Sequence, residues 1–175
     1  MDQPIDAVLR VLMTTPNRWI TLCTVLPEDL LRRRPLDGEW SALECLQHLI
    51  DLDRGIFPQR VRALLAGEDF PAFVPDRDGS TVGADADPVA MAEEFATLRA
   101  QNLTLVETLS EADLAKTGRH SELGPVTLGH LLHEWAGHDL MHMVQAEQAL
   151  MQPFIAGCGP WQVYFKGHIA AAEAD

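Results

Sequence analysis

Positive charge is scarce in this chain of 175 residues: thirteen lysines and arginines stand against twenty-six aspartates and glutamates, for a formal charge of −13. Such a balance repels the phosphate backbone that dominates nucleic-acid affinity, so nucleic acid is not an expected partner. Cysteine is scarce too. Cys23, Cys45 and Cys158 are odd in number, widely spaced and contain no C-x-x-C, which suggests neither a disulfide framework nor a thiolate zinc site and fits a reducing compartment. No window approaches the ~20 apolar residues of a membrane span. The opening MDQPIDAVLR has no basic segment followed by an apolar stretch, so a cytoplasmic protein without membrane contact is expected. Internal repeats and low-complexity stretches are missing, and the valine-rich pieces are too short and scattered to make a sheet.

What remains is an ordinary globular composition, 47% apolar and 22% charged. At this length a folded chain buries roughly 70% of the surface exposed when unfolded, so a core forms without staples and any metal is expected to be functional. Helical periodicity dominates. Ile5, Val8, Leu9, Leu12 and Met13 form one apolar stripe, interrupted by Pro16, where the helix either kinks or restarts through Trp19, Ile20, Cys23 and Leu26. After a short turn over 27–34, Ser41 precedes Glu44 by three residues, the spacing of a capping box. A long helix from there to about Ala66 carries Leu43, Leu46, Leu49, Ile50 and Phe57 inward and is expected to kink at Pro58. Residues 67–87 read as a long loop.

Asp87 and Pro88 then offer a cap and a first-position proline for a helix through Met91, Phe95, Leu98, Leu105 and Leu109. After a short piece over 110–116 and glycine-containing turns, Thr127 can cap a last long helix from Leu128 to about Met151, with Leu131, Leu132, Trp135, Leu140 and Val144 apolar. Long helices joined by loops are most economically packed as an all-α helical bundle. The expected organisation is a bundle domain over residues 1–151 and a C-terminal extension over 152–175 packed on it.

Four of the seven histidines, His130, His133, His138 and His142, lie on that last helix. His138 and His142 are four apart and differ by only ~40° in azimuth, so both imidazoles can reach one metal. His133 points elsewhere, and His130 sits two turns lower as a neighbour. A bundle site needs a ligand from a facing helix, and His48 is the best candidate. Three nitrogen ligands with a vacant position describe a catalytic rather than a structural ion. A pair of histidines four apart is also, more plainly, partly buried polarity on an amphipathic helix.

Gly38, Trp40 and Ser41, then Glu44 followed by His48-Leu49, and ninety residues later His138, His142 and Gln145, together resemble the DinB/YfiT-like superfamily over roughly residues 1–150. The resemblance implies an up-down four-helix bundle, commonly a homodimer, holding a divalent metal with His48, His138 and His142. Zinc and nickel both suit these ligands. The superfamily includes transferases that use low-molecular-weight thiols and members regarded as hydrolases. The implied function is therefore a metal-dependent enzyme, a thiol S-transferase or hydrolase acting on a small molecule, with thiol transfer the preferred chemistry by resemblance and no residue separating the two. A non-catalytic metal-binding or stress-response module and a metal-free interaction bundle are the alternatives.

Other residues have competing readings. Glu134, one turn before His138, is the candidate catalytic acid–base, or else solvated. Glu44 serves its cap. Asp51 and Asp139 could accept an imidazole N–H but usually would be solvated, and Cys45 packs as a small hydrophobe. Trp40, Trp135 and Met141 read as core, and Arg32, Arg33 and Arg34 as a solvated cluster. The His138–His142 segment also has the spacing of the zincin helix, but Asp139 stands where that motif needs glutamate, and only His168 lies downstream as a third ligand.

Overall fold

The computed structural model describes residues 4–74 and 81–170. Residues 75–80 of the expected loop and 171–175 of the expected extension lie outside the described residues. The first helix, α1 (Pro4–Val25), continues without interruption through Pro16, so it does not restart there. Proline has no N–H to give the carbonyl four residues back, which here is Leu12. That carbonyl is not stranded: Arg99 Nη1 donates to it at 3.1 Å from another helix. A short helix, α2 (Glu28–Leu31), follows.

The Ser41 capping box is present, with the Glu44 amide donating to Ser41 Oγ at 3.3 Å and the Ser41 amide to Glu44 Oε2 at 2.8 Å. It opens α3 (Ala42–Asp51), but the single long helix expected to Ala66 is interrupted. A π turn spans Leu52–Ile56 before α4 (Phe57–Ala66), and Pro58 lies in the first turn of α4. The break falls on the N-terminal side of Pro58 because the missing proline N–H frees the Arg54 carbonyl there.

Asp87 caps α5 (Pro88–Glu107) by accepting from the Val89 amide at 3.0 Å, and Thr127 caps α6 (Leu128–Gly157), which runs six residues beyond Met151 and through Pro153. Helix α1 packs on α5 and α6, and α3 on the same two, which makes the four-helix bundle. No described helix is long and apolar enough to cross a membrane.

A small sheet corrects the expectation of none. Strands β1 (Thr117–His120) and β2 (Gly124–Thr127) form an antiparallel hairpin, and Phe70 pairs along its edge through Phe70 N to Arg119 O at 3.0 Å and Ser121 N to Phe70 O at 3.1 Å. Gly118 permits this approach, since a Cβ there would stand 2.2 Å from the Glu68 carbonyl oxygen. The hairpin thereby pins the segment after α4 against the mouth of the bundle.

The core has two apolar clusters, one around Trp19, Leu46, Phe95 and Met143, the other around Leu12, Phe57, Val106 and Trp135. Leu140, Met141 and Val144 are not in it. They are 40%, 53% and 54% exposed, because Asp139 and His142 take the inward positions of that turn of α6. The extension folds back on α6, with Gln152 Nε2 donating to His168 O at 2.8 Å and the Ala170 amide to Gln152 Oε1 at 2.9 Å.

Candidate metal centre

His48 ends α3, where the capping box fixes the helix start and Leu46, Leu49 and Ile50 bury the face that turns His48 toward α6. His138 and His142 project from successive turns of α6. Among the described residues these three imidazoles form a group able to share one ion. His138 Nε2 lies 3.3 Å from His48 Nε2 and 3.2 Å from His142 Nε2. Two nitrogens each about 2.0–2.1 Å from a tetrahedral ion are about 3.3–3.4 Å apart, so the spacing fits a cation between them.

The donor chemistry fits as well. Gln145 Oε1 lies 2.8 Å from His142 Nδ1, so that nitrogen carries the hydrogen and Nε2 keeps its lone pair for the cluster. Trp40 packs against the core cluster around Trp19, and it also stacks on His142 at 5.7 Å and tilts against His48 at 5.0 Å, walling one side of the centre. Phe57 meets the His138 ring edge-on at 5.9 Å. His138 Nδ1 is buried and has no hydrogen-bond partner among the described residues.

Burial, then the neighbouring imidazoles, hold His48 down at about 4 and His138 at about 3; burial lowers His142 too. All three are neutral at pH 7, the form that binds metal. In the unfolded chain each titrates near 6.5, so below that value the unfolded state binds protons the fold refuses. The metal-free protein should hold its full stability above about pH 6.5 and lose it as the pH falls toward 4. Urea midpoints of chelated protein between about pH 7 and pH 5 are expected to fall, with a flatter slope in His48→Gln/His138→Gln. An unchanged slope in that variant would assign the acid sensitivity to other groups.

Glu134 lies on the wall of a cavity of about 280 Å³ that His48, His138, Arg60 and His120 also line. Its carboxyl is raised by burial, against the attraction of Arg60. It does not hydrogen-bond His138. Glu44 is absorbed by its cap and by a two-pronged pair with Arg34. Asp51 accepts from Gln47 at 2.9 Å and Arg54 at 3.0 Å. Cys45 is fully buried, and burial pushes its thiol up to about 12, which makes it inert. His130 closes the α6 capping box, its Nδ1 accepting from the Thr127 amide at 3.3 Å, and His133 is exposed. The arginines at 32–34 are not merely solvated: Arg32 donates to Glu28 and to the carbonyls of Gly83 and Ala86.

Asp139 turns away from the imidazoles into a buried network. Arg99, at 0% exposure, donates to Asp139 at 2.5 and 2.9 Å and to Asp53 at 2.8 and 3.0 Å. Thr15 Oγ1 donates to Asp139 at 2.6 Å, Trp135 Nε1 to Asp53 at 3.2 Å, and Asn102 Nδ2 to the Asp53 carbonyl at 2.8 Å. One guanidinium therefore ties α1, the π turn, α5 and α6 together, and its partner Asp139 adjoins His138 in sequence. Arg99, Asp53, Arg60 and His120 carry no sequence signal: each is a single polar residue whose partners lie on other elements.

A model of the DinB superfamily matches residues 12–146. No protein of curated function matches. Among solved structures, YfiT from Bacillus subtilis, described as a probable metal-dependent hydrolase with an unusual four-helix bundle topology, superposes with a TM-score of 0.72 at 18% identity, covering 85% of this chain and 87% of that one. A DinB-like protein of Bacillus subtilis, YjoA, superposes with a TM-score of 0.54 at 16% identity, covering 82% and 90%. At these identities the likeness is one of fold.

Proposed function

The chain belongs to the DinB superfamily, and from that premise we propose that it is a metal-dependent hydrolase acting on a small molecule, with His48, His138 and His142 holding one divalent cation, zinc or nickel. The observation that carries this reading is the 3.2–3.3 Å spacing of the imidazole Nε2 atoms beside an open cavity. YfiT, of the same fold, is itself described as a probable metal-dependent hydrolase. A cation on three neutral imidazoles supplies Lewis acidity, activating a nucleophile near neutral pH.

The chain's own residues supply the rest. Gln145 fixes the His142 ring, while Trp40 and Phe57 restrict two of the three imidazoles to their present planes. Glu134, set in the same cavity as His48 and His138, accepts the proton that a water nucleophile gives up. A thiol, whose pKa is about 8.5, must also shed a proton, so the choice of hydrolysis over thiol transfer rests on the likeness to YfiT.

Generic esters and amides assayed with metal-loaded protein, with and without a low-molecular-weight thiol, test the reaction type. Metal-dependent turnover without thiol is expected, and Glu134→Gln should lower kcat by roughly 10²–10⁴-fold while metal content stays unchanged. Turnover only with thiol would correct the reaction to S-transfer. A metal that raises the melting temperature without any turnover would replace the enzyme with a binding module.

A further inference from the structure

The hydrolase reading leaves the substrate class open, and the flank of the cavity narrows it. Three cavities of about 480, 280 and 200 Å³ share one wall residue, Arg60 on α4. The middle one reaches His48 and His138, and the smallest is walled by Phe70, Leu123, Val126 and Leu131. His120 and Glu134 line both of these.

Arg60 is half-buried, lies 5.4 Å from the Phe70 ring centre, and donates one hydrogen bond among the described residues, from Nη2 to the Pro71 carbonyl at 3.2 Å. A guanidinium has five N–H groups, so most of its donors have no acceptor among the described residues. Nor has it an ion-pair partner within 4.0 Å among the described residues, although Glu134 attracts it from farther away. Among the described arginines Arg10, Arg62 and Arg119 also show no ion pair but are exposed, whereas the partly buried Arg32 and fully buried Arg99 are paired with carboxylates. Holding a partly desolvated cation without a counter-charge costs stability unless something arrives to meet it. A second donor stands on the same wall: His120 Nδ1 accepts from the Glu122 and Leu123 amides at 3.2 and 3.3 Å, which places the hydrogen of the neutral ring on Nε2.

We propose that Arg60 determines specificity by binding the oxyanion group, carboxylate or phosphate, of a small amphipathic substrate whose apolar part lies against Phe70, Leu123 and Leu131. Bidentate pairing of arginine with either group is geometrically natural, and a charge-assisted pair in a partly dry cavity outweighs one at the surface. The proposal rests on the cavity being the substrate site, but not on the cation being bound.

Calorimetric binding of octanoate, octyl phosphate and octanamide to wild type, Arg60→Gln and Arg60→Lys tests it, each protein both metal-loaded and chelated with its metal content measured. Octanoate or octyl phosphate should bind wild type at least about tenfold more tightly than octanamide, and the tighter of the two identifies the group. Arg60→Gln should erase that preference with octanamide binding unchanged, Arg60→Lys should keep part of it, and chelation should leave it in place. Equal binding of all three ligands to wild type would overturn the proposal. So would a preference that survives Arg60→Gln and disappears on chelation, since the anion would then be held by the metal. Failure to take up metal would defeat the hydrolase reading without touching the preference in the chelated protein.

Discussion

Replacing His138 with alanine is expected to strip the protein of its divalent cation and of metal-dependent turnover while leaving the bundle folded. His138 Nε2 lies 3.3 Å from His48 Nε2 and 3.2 Å from His142 Nε2, so its loss leaves two ligands from different helices and no third. Loss of an outer hydrogen bond to a metal ligand typically costs 10–100-fold in affinity, and loss of the ligand itself should exceed about 100-fold. Gln145→Ala removes only the acceptor that orients His142, at 2.8 Å from its Nδ1, and should fall in the milder range. Elemental analysis after dialysis, with far-ultraviolet circular dichroism as the fold control, separates the two. Stoichiometric metal in folded His138→Ala would remove that residue from the centre.

The largest stability effect is expected at Arg99. Arg99→Met leaves the Asp53 and Asp139 carboxylates buried together with no cation, and leaves the Leu12 carbonyl, which Pro16 cannot serve, only the long contact from Thr15 Oγ1 at 3.4 Å. Removing one partner of a buried pair costs about 3–5 kcal/mol, because an uncompensated charge remains. For a chain of this size that corresponds to a melting temperature lower by roughly 6–20 °C. Burial already pushes the Asp53 carboxyl up against the pull of Arg99, so the balance without the cation is adverse. Adding Asp53→Asn and Asp139→Asn removes both charges yet keeps acceptors for Trp135 and Thr15, and should recover most of the loss. A loss below about 1 kcal/mol in Arg99→Met alone would show that the network contributes little beyond packing.

Sequence shows local features of this molecule and hides distant ones. Ser41 with Glu44, Asp87 with Pro88, and Thr127 announce three helix starts because a capping side chain meets an amide two or three residues away. The helical face shared by His138 and His142 follows from a four-residue spacing in the same way. The π turn escaped because Pro58 reveals a disturbance but not its form, and the hairpin because four-residue strands containing glycine and proline look like loop. Leu140 and Val144 were misplaced for a related reason. Hydrophobicity suggested the inward face, but Asp139 is buried there through Arg99, a partner forty residues away. Arg60 and His120 join the cavity by the same kind of long-range placement.

His48, His138 and His142 are proposed to grip one cation and leave it a free position. Zinc K-edge absorption of the zinc-loaded protein, with metal quantified per chain, tests it most directly. One zinc per chain with three imidazole nitrogens at about 2.0–2.1 Å and a further light-atom ligand is expected. A shell containing sulfur at about 2.3 Å, fewer than three imidazoles, or zinc well below one per chain would contradict it.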